Sequence, residues 1–157
     1  DYSKINYYDN ENLYFKFYYN QKKIPDIKYT SGIKSDVVVI CWGGSLINLV
    51  EVTNKLYEED EIVVDVYCLQ KIYPLCLKAI FNELEIETKL AVYEEDTNLG
   101  SIGNEIVSLA NRYGFQKKIL RLNTDIGIIP SSKHLENLHY PSIQSTYEKI
   151  REFYLND

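Results

Sequence analysis

Residues 37–47 read Val-Val-Val-Ile-Cys-Trp-Gly-Gly-Ser-Leu-Ile, an apolar run that breaks at Gly43-Gly44 and continues with helical spacing. An apolar run without polar alternation belongs to a strand covered on both faces, and paired glycines let the chain turn sharply into a helix. A helix follows over 45–58, with Leu46, Leu49, Val50, Thr53 and Leu56/Tyr57 on one face, and the acidic run Glu58-Glu59-Asp60-Glu61 ends it in solvent. The β-branched stretch 62–67 predicts a second strand. Pro74 then precedes a helix whose face is Leu77, Ile80, Phe81 and Leu84. A third strand is expected at 89–93, followed by an acidic loop, Glu94-Glu95-Asp96-Thr97-Asn98, and the turn Gly100-Ser101-Ile102-Gly103. The helix after it is expected to bury Ile102, Ile106, Leu109, Ala110 and Tyr113 and to stop at Gly114. Residues 118–122 form a fourth strand, 126–129 a further short one, and a last helix after Pro141-Ser142 presents Ile143, Tyr147, Ile150 and Tyr154. Upstream, alternation across Leu13, Phe15 and Phe17 supports one short strand before Pro25. Strand and helix thus alternate with short connections. This pattern predicts an α/β fold, a three-layer αβα sandwich around a mostly parallel, roughly five-stranded sheet.

Composition narrows the picture. A chain of 157 residues, 45% apolar and 25% charged, is long enough for one domain with a substantial core. Its 23 acidic residues outnumber 17 basic ones, for a net charge of −6, and no basic stripe points to nucleic acid. No segment reaches the ~18 consecutive apolar residues of a membrane span. Cys41, Cys68 and Cys76 all lie in or beside apolar runs at spacings that suit neither zinc nor a disulfide framework. They are expected to be buried thiols in a reducing, intracellular compartment. The chain contains no methionine, even at its start, which reads as a piece of a longer protein. Residues 1–35 are rich in tyrosine and phenylalanine. They are expected to be a connector with an edge strand, or a segment whose rings once covered a neighbouring domain.

The search for chemistry yields little. The glycine turn at 100–103 invites a phosphate reading, but it lacks both a third glycine and a lysine-serine pair, and Glu94, Glu95 and Asp96 stand just upstream. A tight loop with close packing under Gly103 is the better account. Glu94 and Glu95 are adjacent, so on a strand they face opposite ways and cannot act as an acid–base pair. Glu105, in the first turn of its helix, favours the helix dipole. His134 and His139 fall in a loop, five residues apart and without a nearby cysteine, and read as surface or partner-contacting side chains. No catalytic, cofactor-binding or metal-binding residue is assigned. Glu95, Gly100, Gly103, Glu105, His134 and Glu136 remain as interface or loop candidates.

Four blocks stand in order: 36–43 (Asp-Val-Val-Val-Ile-Cys-Trp-Gly), 69–75 (Leu-Gln-Lys-Ile-Tyr-Pro-Leu), Glu95 followed by 100–106 (Gly-Ser-Ile-Gly-Asn-Glu-Ile), and 132–142 (Ser-Lys-His-Leu-Glu-Asn-Leu-His-Tyr-Pro-Ser). Together they resemble the C-terminal domain of the transketolase-like thiamine diphosphate enzymes. The last block is most similar to the beta subunit of the 2-oxoacid dehydrogenase decarboxylating component, as in pyruvate or branched-chain 2-oxoacid dehydrogenase. The resemblance spans residues 36–154 and implies a domain at 36–157, with 1–35 as its connector from a pyrimidine-binding domain. It departs from the family pattern at Gln70, Cys76 and Ser101, where arginine, aspartate and a second glycine are usual. The parent enzyme would decarboxylate a 2-oxoacid on thiamine diphosphate and magnesium and pass the acyl group to a lipoyl acyltransferase. This fragment would itself be non-catalytic, serving assembly with an alpha subunit and a second beta subunit (α₂β₂) and docking of the acyltransferase. Location would be the mitochondrial matrix or plastid in a eukaryote and the cytoplasm in a bacterium. Two alternatives stay open: the C-terminal domain of deoxyxylulose-phosphate synthase or another transketolase-like enzyme, and a stand-alone α/β module with a ligand at the strand ends near Gly43 and Gly100.

Overall fold

The computed structural model of the protein describes residues 13–18, 26–97, 99–124 and 130–156. Among them, one sheet contains β1 (Tyr14–Tyr18), β2 (Asp26–Thr30), β3 (Val37–Trp42), β4 (Val64–Leu69), β5 (Lys89–Thr97) and β6 (Ile119–Thr124), in the spatial order β1-β2-β4-β3-β5-β6. The four strands β4, β3, β5 and β6 are parallel, and β2 and β1 continue the β4 edge antiparallel. The helices are α1 (Ser45–Asp60), α2 (Lys78–Glu83), α3 (Ile102–Arg112), α4 (Lys133–His139) and α5 (Ile143–Leu155).

The unbroken apolar character of β3 has a direct cause. Val37, Val39 and Cys41 enter a core layer with Leu49, Val52 and Leu56 of α1 and Tyr147 and Ile150 of α5. Val38 and Ile40 point the other way, into a layer with Ile80 and Phe81 of α2 and Ile106 and Ala110 of α3. The result is the expected αβα sandwich on a mostly parallel sheet. Polar contacts fix α5 on the outside. Ser142 and Ser145 form a reciprocal capping box at its start, and Tyr147 Oη and Arg151 Nε donate to Asp60 of α1 at 2.6 and 2.7 Å. Lys89 Nζ donates to the carbonyls of Phe153 and Tyr154 at 2.9 Å each, satisfying the last turn of the helix.

Six local expectations need correction or comment. Strand β2 was hidden by its composition: Asp26 and Lys28 are polar, yet Asp26 is fully buried and accepts from Gln70 N at 3.0 Å, while Lys28 pairs with Asp65 at 2.8 Å. Strand β5 does not yield to an acidic loop at Glu94 but runs to Thr97, through an irregular register against β6. The stretch taken as a histidine loop holds the short helix α4, with Ser132 O accepting from Glu136 N at 2.8 Å. Tyr113 is not on the buried face of α3 but caps its end, and it is exposed. Cys76 is exposed rather than a core thiol, because it precedes the first buried residue of the α2 region, Leu77. The short strand expected at 126–129 lies outside the described residues.

Candidate functional site

Topology places the crevice of this sheet. The chain leaves β3 toward α1 on one face and leaves β5 toward α3 on the other, so the strand order reverses between β3 and β5. In open α/β sheets ligands enter at such a point, beyond the carboxyl ends of the strands. Here the crevice is bounded by the turn at Gly43-Gly44 and by the turn at Gly100-Ser101. Gly100 has φ of +67°, a left-handed conformation that favours glycine.

The β5 side of this crevice is filled by the chain itself. Glu94, only 1% exposed, accepts hydrogen bonds from Ser101 Oγ at 2.9 Å and from Gly103 N at 3.2 Å, and pairs closely with Arg121 Nη2 of β6. Arg121 reaches further, to Ser101 Oγ at 3.1 Å and, through Nη1, to Asn104 Oδ1 at 2.7 Å. Glu94 therefore does for α3 what an N-cap residue normally does, accepting from an amide of the first turn. Ser101, at the cap position, makes no such bond. The second glycine of the turn is explained by the same contacts, since a methyl group on Gly103 would overlap both Arg121 Nη2 and Glu94 Oε1.

This arrangement decides what the turn can do. A helix N-terminus attracts a phosphate because its amides lack acceptors and its dipole favours negative charge. At α3 a buried carboxylate already takes the Gly103 amide and faces the dipole, so a phosphate would meet like charge. Nor is Glu94 free to act as a base, because both of its oxygens are engaged.

The sequence candidates are dispersed. Glu95 is exposed where Glu94 is buried, at the point where β5 runs out of the core. Gly100 and Glu105 are exposed at the β5–α3 junction, and Gly103 is buried against the ion pair. His134 is exposed and Glu136 half-buried on α4, where Glu136 pairs with Lys133 at 3.3 Å. Sequence reasoning missed Arg121 and Ser101. The available signal was an arginine inside the apolar strand Ile119-Leu120-Arg121-Leu122, since a buried guanidinium needs an acid close by. Among the described residues no group of three His, Cys, Asp or Glu side chains could hold a metal ion, and no helix is long and apolar enough to cross a membrane. A cavity of about 280 Å³ lies at the opposite end of the sheet, lined by Phe81, Leu84, Ile86, Tyr113, Phe115 and Lys117.

Around the crevice the surface is apolar and acidic. Ile47 in the first turn of α1 is 70% exposed and Leu99 beside Gly100 is 69% exposed, with Glu95, Asp96 and Glu105 exposed nearby in sequence. On α4, Leu135 and Leu138 are also exposed.

Known proteins share this architecture. A split-gene transketolase, described as an inactive beta4 tetramer, superimposes with a TM-score of 0.64 at 13% identity, covering 80% of this chain and 40% of that one. The 2-oxoglutarate:ferredoxin oxidoreductase from Magnetococcus marinus, solved with 2-oxoglutarate, coenzyme A and succinyl-CoA bound, gives a TM-score of 0.55 at 17% identity over 81% of this chain and 19% of that one. The chain thus spans well under half the length of either structural relative. No curated protein sequence matches it. The sequence signature of the transketolase C-terminal domain matches residues 27–145, most of the chain and all but the first residue of its sheet from β2 to β6, so the protein belongs to the transketolase C-terminal domain family.

Proposed function

We propose that this chain is the C-terminal assembly domain of a thiamine diphosphate-dependent enzyme, and specifically of the beta subunit of a 2-oxoacid dehydrogenase. In that reading it packs against a second beta subunit and an alpha subunit and offers a docking surface to the lipoyl acyltransferase. Chemistry belongs to other domains of the enzyme. The observation that carries the reading is the closed crevice: Glu94 and Arg121 fill the β5 side of the ligand-entry end of the sheet, while Ile47, Leu99, Glu95 and Glu105 stay exposed around it. An apolar, acidic surface over a plugged site suits a protein partner better than a small molecule.

The residues present do not fit the cofactor that the family implies. A diphosphate needs unoccupied donors and a magnesium ion needs converging oxygens. The α3 N-terminus is taken by a carboxylate, and no metal-holding cluster occurs among the described residues.

The preference for a 2-oxoacid dehydrogenase beta subunit over a deoxyxylulose-phosphate synthase rests on the 132–142 block. Calorimetric titration with the basic docking domain of a lipoyl acyltransferase tests it. Opposite charge steers association and is screened by salt. Saturable binding that weakens as salt is added supports the proposal; no saturable heat at any salt concentration overturns the docking role.

A further inference from the structure

At the amino ends of the strands, far from the plugged crevice, α2 and α3 finish around the cavity of about 280 Å³. Phe81 and Leu84 wall it from the end of α2, and Tyr113 and Phe115 from the end of α3. The Phe81 and Tyr113 rings stand 5.6 Å apart between centroids. Phe81 is buried while Tyr113 is 38% exposed, so an apolar wall is reached directly from solvent.

Beside this cavity stands Ile86, 90% exposed and the most exposed large apolar side chain among the described residues. Ile33, also exposed, is brought to the same end of the sheet because its neighbour Lys34 pairs with Glu85 at 2.8 Å. An apolar knob on the rim of an apolar hole makes a face complementary to itself. Around a two-fold axis, the knob of each copy enters the hole of the other. Size permits this, since a cavity of about 150 Å³ already holds a benzene molecule.

Charge favours the same pairing. Lys117 on the cavity wall and Glu87, next to Ile86, are both exposed, and neither forms an ion pair among the described residues. Opposite charges left unpaired on one face can each find the other across a two-fold axis. The carboxyl end of the sheet offers no such match to a second copy, because Glu95, Asp96 and Glu105 would set like charge against like.

We propose that this amino-end face is the surface through which two copies of the chain associate, with Ile86 of each seated in the Phe81–Tyr113–Phe115 cavity of the other and Lys117 set against Glu87 across the rim. The inference rests on the assembly reading above and gives packing against a second copy a definite face. A contact anchored on one side chain per copy is small, so the association is weak and reversible.

Sedimentation velocity of the full chain from about 1 μM to about 1 mM tests it. The expected result is a monomer–dimer equilibrium within that range. Ile86→Asp should weaken the dimer by about tenfold or more and, because Ile86 is almost wholly exposed, leave the circular dichroism spectrum unchanged. Lys117→Glu and Glu87→Lys should each weaken it, and the two together should restore it. Tyr73→Asp, at a side chain 86% exposed beyond the carboxyl end of β4, should leave it unchanged. A chain still monomeric at the highest concentration overturns self-association and leaves the cavity to another occupant, while acyltransferase docking is judged separately by its own titration. A dimer that ignores Ile86→Asp and both charge reversals overturns this face, and packing against a second copy then stands through another.

Discussion

Replacing Arg121 by methionine isolates the interaction on which the closed crevice depends. Glu94 is left with a buried charge and no cation, and removing one partner of a buried ion pair costs about 3–5 kcal/mol. Two features place this site at the low end. The Arg121 side chain is 17% exposed, so water partly reaches the pair, and Glu94 keeps its bonds from Ser101 Oγ and Gly103 N. A loss of about 3 kcal/mol is therefore expected. At roughly 2–4 °C per kcal/mol for a chain of this size, the Tm should fall by about 6–12 °C. Urea denaturation followed by circular dichroism gives the free energy directly. The double variant Arg121→Met/Glu94→Gln supplies the control: Gln removes the orphaned charge and keeps an acceptor oxygen for Gly103 N, while its amide NH2 can donate to Ser101 Oγ. It should recover about half of the loss or more, a coupling of the size that contacting residues show. A single variant within about 0.5 kcal/mol of the parent, or strictly additive losses in the double variant, would refute a buried, mutually dependent pair.

Gly103→Ala should disturb the same pair from the helix side, since its methyl group would overlap Arg121 and Glu94; overpacking of this kind costs about 1–3 kcal/mol, and the loss should shrink in the Arg121→Met background. The Tyr147–Asp60–Arg151 contact between α5 and α1 should be read out by pH. Hydrogen bonds from Arg151 and then Tyr147 hold the Asp60 carboxyl below its ordinary 3.8, so its contribution is present above that value and is lost as pH falls through the lowered one. Asp60→Asn should flatten the acid limb of the stability profile. The hydrogen bond to Asp60, aided by burial, pushes the Tyr147 phenol from 10.0 up to about 12, so its contribution holds below 10.0 and is lost as pH rises toward about 12. Tyr147→Phe should remove one late-titrating phenol from the alkaline absorbance curve, and an unchanged curve would contradict the contact.

The parallel strands were legible because burial on both faces writes itself as an unbroken apolar run. Val37 to Cys41 feeds two core layers at once, and the glycines after Trp42 mark the turn into α1. The edge strand β2 was illegible for the opposite reason. Its Asp26 and Lys28 are acceptable only because Gln70 and Asp65 await them on or just beyond β4, more than 35 residues away. The same holds for the site. The GxxG spacing announced a tight turn and close packing at Gly103, but the packing partner is the guanidinium of a residue on the next strand. Glu94 read as an exposed acid since nothing local offers it a cation, and Arg121 supplies one through tertiary structure alone. The α4 helix was missed because two histidines and two leucines in a short polar stretch give too little helical period to register.

Under the proposed assembly role, the Glu94–Arg121 ion pair occupies the end of the sheet where a diphosphate would enter. Calorimetric titration of the chain with thiamine diphosphate in the presence of magnesium tests it most directly. No saturable heat is expected from the parent chain, whereas saturable binding of one cofactor per chain in the micromolar range would contradict the assembly reading.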